Sequence, residues 1–394
     1  MPEKIKKRRF LDWGILIPYL ILNVIGLMMV YSTTSYVLLE NGQNPGRQAL
    51  FQFTFWLVSL FLIAFIYKLK TSVLKNKKTV AVALIAVILL LLVAFAFSPV
   101  NGAYGWIQIP GMGTIQPAEF LKIVIIWFLA TVLAQQQSKV QEDHFLYSIR
   151  GSLIAAFIPT LILMFYPDFG NAAIIVLLII VLLLASGVNY IYTLYTGLIG
   201  IFGSILAIFG VNTIGKYFLP DYVLSRFAVF RNPFIDEYGD GHQMIHGYYA
   251  LFNGGLFGRG LGNSIQKKGF LQFAHTDYAF AIVVEELGLI VAILILGILF
   301  YMIARILLIG IRSKDPFNSI MCIGIGALFL ISIFINLGGI TGVIPLSGIT
   351  FPFISQGGSS LIMFSVCVGF ALNISADEKK KAMLKEIEQN EAEK

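Results

Sequence analysis

Charge is what this chain has least of. Asp, Glu, Lys and Arg make up 12% of its 394 residues, against the roughly 25% usual in soluble domains, and the mean hydropathy is +0.83. That scarcity excludes a soluble globular protein. Cysteine is almost missing as well: Cys322 and Cys367 are the only two. Both fall inside apolar runs, so neither a disulfide framework nor a cysteine-based metal cluster is expected. Apolar and polar residues do not alternate in short segments, which excludes a transmembrane β-barrel. No internal repeat is visible. No small-residue cleavage site follows the basic Lys4–Arg9 stretch, so the first apolar run is expected to stay as a span.

Long apolar runs are what the chain has instead, each able to cross a hydrocarbon core of about 30 Å. They predict helices near Trp13–Tyr31, Phe51–Tyr67, Val80–Phe97, Ala118–Leu133, Ser152–Phe165, Ala172–Leu184, Tyr190–Phe209, Tyr278–Ile309, Ile320–Leu337 and Ser360–Ile374. The fold class is therefore an all-α integral membrane protein of about ten spans. The net charge of +7 is not a nucleic-acid signal, because Lys and Arg collect in alternate loops. That is the bias of cytoplasmic loops, and it places both termini in the cytoplasm. The expected organisation is a cytoplasmic N-terminus (1–10), one membrane domain (11–376) and a short, solvated, charged cytoplasmic tail (377–394). Between the seventh and eighth spans lies a large extracytoplasmic loop (212–277), far longer than an ordinary connection.

Three stretches on the outer side stand apart. Ser98–Pro117 is uncharged and carries Tyr104 and Trp106; Thr341–Gln356 holds two prolines and runs into Gly357-Gly358-Ser359-Ser360. Gly254–Gly288 packs glycines, Lys267, Lys268, His275-Thr276-Asp277 and Glu285-Glu286 between apolar segments. Ionised side chains at membrane depth are costly and usually mark a site or pathway.

Asp277, at the mouth of the long eighth span, has two readings. One is a helix cap shared with Thr276; the other is a general base whose pKa is raised by partial desolvation. On a continuous helix Glu285 and Glu286 would lie about 12 Å deeper, turned roughly 80° and 180° from Asp277, so the three cannot share a face. Structural pairing with a basic residue of a neighbouring span is expected for Glu286, and either role for Glu285. Gln116-Pro117-Ala118-Glu119 opens a helix well, and Glu119 and Lys122 share its face as a cavity-lining pair, the alternative being an internal salt bridge that stabilises the helix. Arg226, Arg231, Arg259, Lys267 and Lys268 are individually solvated loop charges or together a cluster able to clamp an anion, and the GGLFGRGLG amides could approach one. Trp106 is either a belt residue or a stacking platform for a ligand. His242 and His246 show no third ligand and are not read as a zinc site. His275 orients Asp277 or simply packs in its turn.

Taken together, NGAYGW, QPAEFLK, GGLFGRGLGNSIQK, AHTD with its EELG, and PLSGITFPFISQGGSS resemble the SEDS family of FtsW and RodA proteins, from the first span to the last. The wording is closer to the division-type members of Gram-positive cocci than to the elongation type. The resemblance implies an inverting glycosyltransferase that polymerises lipid II into peptidoglycan. It implies a class B penicillin-binding protein and other divisome membrane proteins as partners, and a place in the cell membrane at the septum of a Gram-positive bacterium. It makes Asp277 catalytic and puts Lys267 and Arg226 at the diphosphate. Trp106, Glu119, Lys122, Gln243, Gln356 and Ser359 are further substrate contacts, with His275, Glu285 and Glu286 in support. A divalent cation (Mg²⁺ or Mn²⁺) at the diphosphate is the one cofactor contemplated, with no metal ligand set legible. Two departures stand out: Leu271-Gln272-Phe273 replaces a Leu-Pro-Glu common in the family, and Tyr104-Gly105 stands where an arginine often precedes the tryptophan. The rival readings are an elongation-type polymerase, a lipid II flippase, whose class often carries repeats, and a scaffold, which would not need intramembrane carboxylates.

Overall fold

A computed structural model of the chain describes residues 7–98, 104–109, 113–139, 145–166, 168–187, 221–239 and 241–392, with single positions at 191, 195 and 198. The elements in order are α1 (Trp13–Glu40), α2 (Arg47–Lys68), α3 (Lys77–Ala94), a hairpin of β1 (Ile107–Ile109) and β2 (Gly113–Ile115), and α4 (Pro117–Gln135). There follow α5 (Phe145–Phe165), α6 (Phe169–Ala185), α7 (Asp221–Arg231), α8 (His242–Gly254), α9 (Ala279–Arg312), α10 (Pro316–Ile340) and α11 (Gly358–Ala392). Of the expected span Tyr190–Phe209, only Ile191, Tyr195 and Leu198 fall among the described residues. Seven of the described helices are long and apolar enough to cross a membrane, and α5 and α6 add two shorter apolar stretches.

The helices start where the sequence supplies donors and acceptors for their open ends. Asp12 accepts from the Gly14 amide ahead of α1, Asp168 from Asn171 ahead of α6, and Asp315 from Asn318 ahead of α10. Pro117 and Pro316 occupy first-turn positions, where a missing N–H costs nothing. The apolar stretches of α4, α10 and α11 are mostly buried, whereas those of α2, α3 and α9 turn much of their surface outward. The helices at the centre carry the polar side chains, and those at the rim are apolar outside, as lipid requires.

Two features go beyond the sequence reading. Within Ser98–Pro117, β1 and β2 pair antiparallel, with Gln108 opposite Thr114, and lead directly into α4. The charged tail is largely exposed and is helical. α11 continues to Ala392, held by the i,i+4 pair Lys381–Asp377 at 2.8 Å and by Lys379 on Asp12 at 2.8 Å.

Candidate functional site

Asp277 does not cap the long helix. α9 starts at Ala279 with Tyr278 in the cap position and no side-chain cap bond, so Asp277 stands in the turn before it. That turn is strapped down carbonyl by carbonyl. The Gln356 amide donates to the His275 carbonyl at 2.8 Å. Ser355 Oγ donates to the Thr276 carbonyl at 2.6 Å, and Asn336 Nδ2 to the Asp277 carbonyl at 2.8 Å. Asn336 Nδ2 also reaches the Ile349 carbonyl at 2.7 Å, and the Phe351 amide donates to Ser355 Oγ at 2.9 Å. The Thr341–Gln356 loop and the Asp277 turn are thus one hydrogen-bonded unit. Gly348 has φ 75°, a backbone region that favours glycine, and a Cβ there would sit 3.7 Å from Asp277 Oδ2. The loop backbone passes alongside the carboxylate.

Burial pushes the Asp277 pKa from 3.8 up to about 6, with the Arg226 charge and Thr276 opposing the rise. Arg226 lies exposed on α7. A carboxylate so poised is ionised at neutral pH yet basic enough to take a proton from a hydroxyl. His275 contributes its carbonyl to the strap, and its half-enclosed ring has its pKa lowered by burial.

A second polar group adjoins the first through α11. The Gln116 amide donates to Ser359 Oγ at 3.0 Å and Gln116 Nε2 to Asp168 Oδ2 at 3.0 Å. One turn into α4, Lys122 Nζ lies 2.8 Å from Glu119 Oε1, both side chains buried. Gln356 Nε2 donates to Gln48 Oε1 at 3.0 Å. Several buried polar atoms of these two groups lack a protein partner: Glu119 Oε2, Asn336 Oδ1 and Gln356 Oε1. Buried polar atoms are nearly always paired; a polar ligand or its waters would satisfy these.

The glycine loop is a different matter. Its amides do surround anions, but the anions are the protein's own. Glu286 accepts from the Gly262 amide at 3.0 Å, from Ser32 Oγ of α1 at 2.7 Å and from Lys267 Nζ at 2.6 Å. Glu285 accepts from the Ile265 amide at 3.0 Å and from Ser264 Oγ. Both carboxylates and Lys267 are buried. Lys267 therefore faces inward as the counter-ion of Glu286 and donates to Ser32 Oγ at 2.8 Å, where the family resemblance implied an open diphosphate contact. Glu286 is paired as expected, but from the loop and not from a neighbouring span. The angles of a continuous helix are not exact here, because α9 begins only at Ala279, but the three carboxylates do part: the glutamates face the glycine loop and Asp277 sits in the turn held by Asn336 and Ser355. α9 itself breaks further on, at Gly288 (φ 84°, ψ 166°).

The other sequence candidates are dispersed. Trp106 is half-buried at the head of the hairpin, beside Gly105, whose backbone packs on the Tyr166 ring. Gln243 lies on α8 and donates to Gln272 at 3.3 Å on the surface. His246 bonds Gln266 at 2.7 Å and its ring stacks on Phe270. Among the described residues no group of three His, Cys, Asp or Glu side chains could hold a metal. Sequence reading overlooked Ser32, Asn336 and Ser355. The signal was present for Asn336, an amide side chain inside an apolar span, which rarely occurs without a specific partner.

A family model described as "cell cycle protein", spanning FtsW, RodA and SpoVE, matches residues 13–380. A Lactococcus lactis protein named "probable peptidoglycan glycosyltransferase FtsW" is 45% identical, over 96% of this chain and 95% of its own. An Enterococcus hirae protein of the same name is 36% identical over 95% and 94%. Among solved structures, a chain of a peptidoglycan synthase complex superposes with a TM-score of 0.73 at 21% identity, covering 93% of this chain and 98% of its own. Thermus thermophilus RodA superposes with a TM-score of 0.66 at 20% identity, over 93% and 97%. The fold is shared with these solved structures, and the chain belongs to the FtsW/RodA/SpoVE family of cell cycle proteins.

Proposed function

We propose that this membrane protein is a peptidoglycan glycosyltransferase that joins lipid-linked disaccharides, with Asp277 as the general base. The observation that carries this reading is a single one: a carboxylate with its pKa raised to about 6, immobilised through three consecutive backbone carbonyls at the mouth of a family-typical chain. In the proposed step Asp277 takes the proton of the acceptor hydroxyl as that oxygen bonds to the donor's anomeric carbon. The bond from that carbon to the diphosphate oxygen breaks, and the lipid diphosphate leaves with the electron pair. A single displacement inverts the anomeric centre. Arg226, beside Asp277, supplies positive charge for the departing diphosphate. Glu119, Lys122, Gln356 and Ser359 line the polar ground next to it. A Mg²⁺ or Mn²⁺ ion at the diphosphate belongs to the proposal only as a ligand of the substrate, and no step here is routed through it.

The relatives' names favour a division role, in which the enzyme works at the septum with a class B penicillin-binding protein and other divisome membrane proteins. The test is polymerisation by the purified protein with that transpeptidase, given lipid II in detergent, where no leaflet needs crossing. Glycan polymer supports the reading; none, from folded complex, favours the flippase or the scaffold.

A further inference from the structure

We propose that residues 252–257, where α8 ends and the glycine turn begins, dip into the lipid leaflet on the Asp277 side, with Phe252, Leu256 and Phe257 against acyl chains. The segment belongs to a stretch that charge patterning assigns wholly to the aqueous side. Its backbone says otherwise. At the Gly288 break in α9, the Leu289 amide donates to the Gly255 carbonyl at 3.0 Å and the Ile290 amide to the Leu256 carbonyl at 3.2 Å. Just above, the Arg259 and Gly260 amides donate to the Glu285 and Glu286 carbonyls, each at 2.9 Å. The turn therefore runs beside the broken helix and restores the hydrogen bonds that the break forfeits. That pairing is the condition for irregular backbone at membrane depth.

Two rulers give the depth. At the opposite end of the molecule Asp12 gathers Arg305 at 3.1 Å, Lys379 at 2.8 Å and Ser375 at 2.8 Å, a charged layer that marks the other boundary. Ile290 stands about 22 Å from Arg305 along α9, at 1.5 Å per residue. Along α1, Ser32 stands about 30 Å from Asp12 on the same rise, and Ser32 bonds Glu286, one turn above Ile290. A hydrocarbon core of about 30 Å then ends near the Glu286 level, and Leu256 lies inside it.

The side chains sort themselves accordingly. Phe252, Leu256 and Phe257 are 84%, 57% and 82% exposed and continue the outward apolar surface of α9 at Leu289, Ile290 and Ile293. Ser264, Gln266 and Lys267 turn inward and are buried. Arg259 and Lys268 are exposed at the upper level, where long cationic side chains reach headgroups.

The test needs no activity. A bimane label at Phe257→Cys, on a Cys322→Ala/Cys367→Ala background in proteoliposomes, is compared with one at Tyr238→Cys. We expect severalfold stronger quenching at position 257 by nitroxide on the acyl chain, and weaker quenching there by aqueous iodide. Equal iodide access at both positions, with no acyl-chain quenching at 257, would overturn the proposal. Wild-type protein photolabelled by a diazirine-bearing phospholipid gives a second reading: adducts on the peptide containing Phe252–Phe257 are expected, and their absence while α9 peptides are labelled contradicts it.

Discussion

Lys267 Nζ lies 2.6 Å from Glu286 Oε1, and both side chains are shut away from solvent. An ion pair of this kind stabilises mainly by being intact, because removing one partner leaves the other charge buried and uncompensated.

Lys267→Ala should therefore lose about 3–5 kcal/mol of stability, whereas Lys267→Met combined with Glu286→Gln should recover much of that loss. Thermal unfolding in detergent checks both. A lysine that met substrate instead would leave the melting temperature alone and lower polymer yield per folded molecule.

Asn336→Ala and Ser355→Ala cut the strap that holds the Asp277 turn. Each deletes buried hydrogen bonds worth about 1 kcal/mol apiece, so the fold should survive. The turnover number should fall roughly tenfold or more, since a base must be held in hydrogen-bond reach of its proton. A change confined to KM would assign these residues to substrate binding instead.

Arg226 opposes the upward pKa shift of Asp277. The acid limb of the pH–rate profile should lie near the wild-type value of about 6 and move to higher pH in Arg226→Ala. An unmoved limb in that variant would separate Arg226 from the base.

Stability should depend on the same carboxyl. Its pKa is 3.8 ordinarily and about 6 in the fold, so the unfolded chain releases this proton first. Folding is penalised as pH rises through that window, and the penalty is constant above it. Asp277→Asn escapes it: its melting temperature should match wild type near pH 4 and exceed it at pH 7.5.

Much of this was legible in the sequence. The spans show because hydrocarbon demands long apolar runs; Asp277 drew attention as a carboxylate at a span mouth, but its position left cap and base open and only the family resemblance favoured the base. The glycine loop was not legible in the same way. Amides close to an anion require the same glycine-rich backbone whether the anion is a diphosphate or Glu285 and Glu286 of the next helix. Only the fold decides, and it gives Lys267 to Glu286. The extension of α11 was readable from the Asp377–Lys381 spacing. The hairpin at Ile107–Ile115 was not, because three-residue strands carry too little periodicity to register.

The central claim is that Asp277 is the base of a glycosyl transfer, and one comparison tests it most directly. Wild type and Asp277→Asn, each purified with the cognate transpeptidase, are given lipid II and scored for glycan polymer. An isosteric amide keeps the turn and loses the proton acceptor, so the variant should fold, bind its partner and make no detectable polymer. Polymer at near wild-type yield from Asp277→Asn would contradict the account.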